Sequence, residues 1–327
     1  MPLITPVGRK RWRVRVLLIS IGGALWLGVI LHLFPFYWTL ITSLKSPYEC
    51  YRFPPTWWPE KINPIGYTIL FQGYIWSIMD YSLTVYIKNS FIITGGIMAI
   101  QIPVCALVAY ALSKLHRPRW NRILFLYLIG PMLVPQAISL IPLFLLLHHF
   151  PFATRHIPNI PFTSIPFPSI SFINTYWAVI LPSCYSAFNV LLFKGFFDGI
   201  PDELINAARL DGASELGIFG RIILPLSKPV FAVVSYFTFS AAYNSFFLPL
   251  IMLREEKFPL PVLMQKIQSI IFSYAKPTTD TSHNLAYIGI GQNALMAIAI
   301  IQSIPVFIMF IIFREQLMKG IKLRGFK

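Results

Sequence analysis

The sequence predicts an all-α integral membrane protein with about six transmembrane helices. Three observations carry that reading. The chain is 56% hydrophobic and only 12% charged, where a soluble domain carries about 25% charged residues, and its mean hydropathy is +0.65. Six stretches are long and apolar enough to cross a bilayer, which takes about 20 residues: 16–40, 89–113, 123–147, 176–197, 229–253 and 292–313. The basic residues lie between these stretches and alternate in density. Eighteen of the 27 Lys and Arg fall in the two termini and the second and fourth connections, and nine in the others. By the positive-inside rule both termini and the 198–229 connection are then cytoplasmic, in a multi-pass protein of the plasma membrane. The net charge of +15 is therefore an orientation signal dispersed along the bilayer, and no nucleic acid is expected as a partner.

Residues 1–15 form a basic N-terminus containing Arg9, Lys10, Arg11, Arg13 and Arg15. The apolar run that follows is long and has no small-residue cleavage site, so it reads as an uncleaved first helix. The outer connection 41–88 contains Trp57, Trp58 and Trp76, which suit anchoring at the membrane interface. The later spans contain Pro103, Pro131, Pro135, Pro182, Pro249 and Pro305; membrane helices tolerate such kinks where neighbours satisfy the freed backbone groups. The 148–175 connection is rich in Pro, Phe and Ile, with Arg155 as its charge. It is expected to be irregular and to lie near the outer surface, either as a contact for an external protein or as a variable insertion. Residues 254–291 hold an amphipathic piece, 261–274, and then a polar run, 278–284. Cys50, Cys105 and Cys184 show no CxxC spacing, so neither a disulfide framework nor a zinc site is expected.

The fourth connection differs from the rest. Residues 198–229 hold five of the twelve acids, Asp198, Asp202, Glu203, Asp211 and Glu215. Pro201 suits the first position of a short helix, and Asp202 and Glu203 suit its first turn. Leu204, Ala207, Ala208 and Asp211 fall three or four apart and give one small apolar flank. Gly212 can end that helix in a left-handed conformation, and Asp211 or Ser214 can cap the next. From pattern alone this is an interfacial elbow.

The literal string says more. Ala207, Ala208, Asp211, Gly212, Ala213 and Ser214, followed by Ile222, Leu224, Pro225 and Pro229, resemble the EAA loop of ABC-importer permeases. The resemblance implies a type I ABC importer permease fold in which this loop is a cytoplasmic coupling helix that docks on an ATP-hydrolysing subunit. Its site residues here would be Glu203, Asn206, Ala207, Ala208, Asp211, Gly212, Ala213 and Ser214. The family's leading Glu is Asn206 in this chain, so any salt bridge from that carboxylate is in question unless Glu203 substitutes. Residues 35–47, Asn89-Ser90-Phe91, Ala109-Tyr110-Ala111-Leu112 and the tail Met318-Lys319-Gly320-Ile321 are similar to the smaller permease of maltose-type carbohydrate importers. The implied layout is a transmembrane domain over 16–327, with a core at about 89–313 and a cytoplasmic tail at 314–327. The implied partners are a second, different permease chain, two ATP-binding subunits and an external solute-binding protein. ATP and Mg would be used by the partner ATPases, with no cofactor bound directly.

No catalytic constellation is visible: there is no phosphate-binding G-x-x-x-x-G-K-[ST], no G-x-S-x-G and no H-E-x-x-H. His148, His149 and His156 cluster in the outer loop, without the matched Cys or carboxylate spacing of a metal site. The spans contain almost no acid, which disfavours proton coupling and favours an external energy source. Polar residues of the fifth span, above all Asn244 with Tyr243 and Ser240, are the solute-path candidates, since aromatic faces and amides suit sugars. They are equally suited to bonding helix to helix. Gln101 and Gln136 are further candidates. A permease for a non-sugar solute, a membrane-embedded enzyme using the His cluster and a proton-coupled carrier remain as alternatives.

Overall fold

A computed structural model describes residues 12–71, 81–115, 118–148, 171–274 and 291–322. Arg9, Lys10, Arg11, Trp76, His149, His156, most of the 148–175 connection, the 278–284 run and the last five residues lie outside the described residues. So does the side chain of Gln136.

The described residues are nearly all helical and contain no strand. The helices are α1 (Trp12–Ser43), α2 (Ile65–Phe71), α3 (Leu83–Lys114), α4 (Pro118–Ile129), α5 (Gln136–His148), α6 (Trp177–Ile180), α7 (Ala187–Phe197), α8 (Asp202–Leu210), α9 (Glu215–Ile218), α10 (Leu224–Leu226), α11 (Lys228–Tyr243), α12 (Phe247–Met252), α13 (Leu260–Tyr274) and α14 (Gln292–Lys322). Three of the six predicted spans are single helices. These are α1, α3 and α14, of 32, 32 and 31 residues. At 1.5 Å per residue each exceeds the roughly 30 Å hydrocarbon layer. Pro35, Pro103 and Pro305 sit inside them without ending them.

The other three predicted spans are broken, and the breaks have local causes. In 123–147, a 3₁₀ turn at Gly130–Leu133 is followed by Val134 in an extended conformation, as the residue before a proline prefers. In 176–197, the chain turns at 181–184 around Pro182, with Ser183 and Cys184 amides bonded to Ile180 and Leu181, and Ser186 then caps α7. In 229–253, α11 stops at Asn244 and the short α12 follows. Among the described residues three helices are long and apolar enough to cross a membrane, or five if each of two bent pairs counts as one span. The predicted six therefore do not appear as six continuous helices.

The chain forms two compact units, residues 1–75 with 267–301, and residues 76–266 with 302–327. In the first, α1 buries none of its apolar stretch, while the loop after it is fixed by polar groups. Lys45 is buried, lies 4.6 Å over the Trp38 ring and donates to the Thr56 carbonyl. Glu49 accepts from the Thr56 hydroxyl and the Glu60 amide. Trp57 packs edge-on to Trp38, and both Trp57 and Trp58 remain largely exposed.

In the second unit α3 is the axis, and α7 and α11 lie along it. Cys105, Ala106 and Ala109 are small and fully buried, which lets the neighbouring backbones approach closely. Val190, Phe193, Phe197 and Val234 fill the space beside them. At the centre of this packing Asn189 donates to Gln101 Oε1 at 3.1 Å and to Thr238 Oγ1 at 2.8 Å. Gln101 in turn donates to the Ser183 carbonyl at 2.7 Å. Asn189 thus ties α3, α7 and α11 together, and Gln101 serves that packing.

Candidate functional site

The elbow between α7 and α11 is the most distinctive surface of the second unit. Helix α8 starts at Asp202, with Pro201 one residue earlier than the sequence suggested, in an extended cap position. Its end is a Schellman motif: the Gly212 amide bonds the Arg209 carbonyl and the Ala213 amide bonds the Ala208 carbonyl, both at 3.0 Å. Gly212 sits at φ +80°, a conformation that costs other residues about 1–2 kcal/mol. Ser214, rather than Asp211, caps the next helix by accepting from the Gly217 amide at 3.2 Å.

Two faces of α8 are now distinct. Ile205, at 1% exposure, anchors the helix in the core, and Ala208 packs against that core as well. Ala207, Ala213, Leu204, Leu210 and Leu216 face outward, with Leu210 at 90% and Leu216 at 74% exposure. Glu203, Asn206 and Asp211 are exposed among them. The predicted small apolar flank is therefore divided: Leu204, Ala207 and Asp211 point away from the protein, and Ala208 packs inward.

The elbow is tied to the end of α3 by polar groups. Lys114 is only 3% exposed, and its ammonium donates to the Ile200 carbonyl at 2.6 Å and to Asp202 at 2.7 Å. Ser113 donates to Asp198 at 2.6 Å, and Lys194 pairs with the same carboxylate at 2.6 Å. Arg209 donates to both oxygens of Glu215, at 2.8 and 3.3 Å, and to the Lys114 carbonyl at 3.0 Å. The hydrogen bonds it donates to Glu215 hold the Arg209 guanidinium above its ordinary pKa. Tyr110 closes the set by donating to Glu215 at 2.6 Å. Asn206 accepts from Arg209 at 3.3 Å. Glu203 has no ion pair among the described residues, so it is Glu215 that receives the arginine.

The fifth-span candidates lie in a different setting. Tyr243 is buried, stacked on Phe239 at 5.3 Å and tilted against Phe91 at 5.8 Å. Asn244 is exposed; its amide donates to the Ser240 carbonyl at 2.8 Å and accepts from Gln302 at 3.1 Å. Ser240 is half-buried.

Residues 101–322, about two thirds of the chain, match the family described as "Binding-protein-dependent transport system inner membrane component". The chain belongs to this family. It is a multi-pass permease subunit of an ABC importer, and three of its relatives match between 81% and 91% of its length. It is 27% identical over 267 residues to Protein LplC of Bacillus subtilis (strain 168), covering 81% of each chain. It is 27% identical over 304 residues to the same organism's Arabinooligosaccharides transport system permease protein AraQ, covering 91% of this chain and 92% of that one. It is 26% identical over 292 residues to Melibiose/raffinose/stachyose import permease protein MelC, also of B. subtilis, covering 89% and 90%. The fold is also that of a chain in the crystal structure of a bacterial ABC transporter involved in the import of the acidic polysaccharide alginate, with a TM-score of 0.69, 20% identity, and 96% and 99% of the two chains covered.

For this permease the sequence located the elbow but missed what fixes it. Lys114 and Arg209 stood out only as orientation charges, Tyr110 only as part of a family string, and Glu215 only as one acid of five. One signal was available. Tyr110, Ser113 and Lys114 lie three and four residues apart at a helix end, so they share one face, and a polar face there needs partners.

Proposed function

We propose that this permease moves a saccharide across the membrane, with energy delivered to it by ATPase subunits that dock on the elbow. The observation that carries the reading is the inversion at α8: polar groups are turned inward to bind α3, and Leu204, Ala207, Leu210 and Leu216 are turned outward. An exposed apolar patch of this kind on a rigid support marks a protein contact. The positive-inside count puts the elbow and both termini in the cytoplasm, where ATP is. The arrangement would comprise this chain, a second permease chain, two ATPases that use ATP and Mg, and an external solute-binding protein. The saccharide follows from the chemistry of relatives named for oligosaccharide import and from the aromatic and amide groups around Asn244.

Mechanistically, closure of the ATPase pair would pull on α8. The Glu215–Leu226 segment meets α11 at 83°, so displacement of the elbow would be passed to α11 as rotation. That is a two-state element biased by nucleotide, and the coupling must be reciprocal: solute outside should alter nucleotide turnover inside.

The test is a cross-link in membranes between Ala207→Cys, on the exposed face, and a single cysteine in the partner ATPase, with and without ATP. Cys50, Cys105 and Cys184 are replaced first. The expected result is a specific, nucleotide-sensitive adduct at Ala207 and none at Ala208→Cys, which faces inward. Absence of any adduct along α8, with the four subunits assembled, would overturn the docking assignment. Uptake of labelled arabino- and galacto-oligosaccharides against an amino acid control tests the solute class.

A further inference from the structure

Helix α3 joins the elbow to the solute-path candidates inside the second unit. At one end Tyr110 and the Lys114 carbonyl meet the elbow. On the order of 30 Å away along the same helix, Phe91 lies against the Tyr243 ring at 5.8 Å, and Tyr243 is next in sequence to Asn244. The chain's own route from the elbow to α11 is less regular. Phe219–Ile223 is a π-helical turn, which interrupts the α-helical ladder, and the chain then bends by 83°. The route through α3 is direct. Glu215 stands first on α9. Its Oε1 accepts from Arg209 of α8 at 2.8 Å, and its Oε2 accepts from Tyr110 of α3 at 2.6 Å. The Arg209 bonds, and after them the Tyr110 bond, hold this carboxyl below the usual carboxylate range, so it stays an anion that accepts from both sides. Tyr110 is 4% exposed and lies against the Phe219 ring at 5.4 Å, so its hydroxyl has a fixed direction.

We propose that Glu215 is a positioning residue of the transport cycle: by holding Arg209 of α8 and Tyr110 of α3 on one carboxylate, it makes α3 the rod that carries movement of the docking helix to the solute path at Phe91 and Tyr243. The inference rests on the docking reading given above. Hydrogen bonds to an ionised group are short and about twice as strong as neutral ones, so α8, α9 and the end of α3 move as one body. Displacement of α8 then reaches Tyr243 along a packed helix, without first passing the π-helical turn and the bend. Loss of the carboxylate leaves the outward apolar face of α8 intact, so docking and hydrolysis continue. What it removes is the link between them and α3, and ATP is then hydrolysed without a matching movement of solute. A residue that served only to hold the fold would instead set how much active transporter there is, and would lower hydrolysis and uptake together.

The experiment uses the complete transporter, with its partner subunits, in phospholipid vesicles, and reads ATP hydrolysed per saccharide taken up. Glu215→Met keeps the length of the side chain and offers no oxygen to either donor. It should raise that ratio about fivefold or more, the lower end of allosteric coupling, while the nucleotide-sensitive adduct at Ala207 is retained. Glu215→Gln, which restores an acceptor without the charge, should fall between Glu215→Met and wild type. Tyr110→Phe keeps the ring against Phe219 and removes only the hydroxyl. It should raise the ratio about threefold and add nothing when combined with Glu215→Met, because Tyr110 acts through that carboxylate. Uptake and hydrolysis that fall together, leaving the ratio at its wild-type value, would overturn the proposal and make Glu215 a structural tether. Additive effects of the two substitutions would overturn it as well. Wild type with neither the Ala207 adduct nor uptake removes the docking reading and this inference with it. Wild type that shows both, with an unchanged ratio in Glu215→Met, removes this inference alone.

Discussion

The two sides of α11 handle polarity in opposite ways. Before it, at the elbow, Lys114, Arg209, Glu215 and Tyr110 are turned inward to one another, and Leu210 and Leu216 are left outside. At its far end Tyr243 is buried among rings, and the amide of Asn244 lies at the surface. A fold that places its leucines outside and its charges inside is not minimising its own energy at that place. Apolar surface left in water forgoes about 25 cal/mol per Å². The elbow thus leaves apolar surface uncovered, as the proposed docking requires. The end of α11 is half finished, since Asn244 has used one of two donor hydrogens and one of two acceptor positions.

The largest effects are expected at the elbow. Gly212→Pro should abolish transport while the protein still reaches the membrane. Proline cannot take φ +80° and has no amide to give the Arg209 carbonyl. Gly212→Ala should be milder, losing about 1–2 kcal/mol of local stability. Normal uptake by the proline variant, measured at equal membrane abundance, would remove the elbow from the mechanism. Next comes Leu210→Asp. Leu210 touches little of its own chain, so thermal unfolding of the isolated permease should be unchanged. Assembly with the ATPase and uptake should fall on the order of tenfold or more, as for an interface hot spot. A variant impaired equally in both assays would show that Leu210 packs within the chain after all.

The sequence made the elbow legible because its markers are local: a proline, two first-turn acids, a glycine and a capping serine within fourteen residues. The spans were half legible for the same reason. Hydropathy over a window reports that a stretch is apolar, not that it is straight. Val134-Pro135 and Pro182 turn the chain where the window sees only carbon. Long-range pairs were hidden: Tyr110 and Glu215 are 105 positions apart, and nothing in either neighbourhood names the other. Gln101 shows the converse. A polar residue in an apolar helix suits a solute and helix packing alike, and its bonds to Asn189 and Ser183 become visible only in the fold.

That structural reading of Gln101 can be tested through its partner. Asn189→Leu removes the donor shared by Gln101 and Thr238. It should cost about 1–2 kcal/mol, the range for bonds between membrane helices, read as a lower unfolding midpoint in detergent. Solute affinity at permissive temperature should not move. A changed affinity with unchanged stability would return the Gln101–Asn189 pair to the solute path.

The smallest effect, and the sharpest test of the comparison, is Asn244→Ala. Its amide is already bonded to Ser240 and Gln302 at an exposed position, so stability should change by no more than about 0.5 kcal/mol. If the free half of the amide meets a sugar hydroxyl, the loss of one hydrogen bond of about 0.5–1.5 kcal/mol should raise KM for uptake roughly two- to twelvefold. The maximal rate and the nucleotide-sensitive cross-link at Ala207 should stay as they were. The two sides of α11 then separate experimentally, one governing energy input and the other solute. Should Asn244→Ala leave KM unchanged, the amide is only the cap of α11, and the solute contacts lie elsewhere.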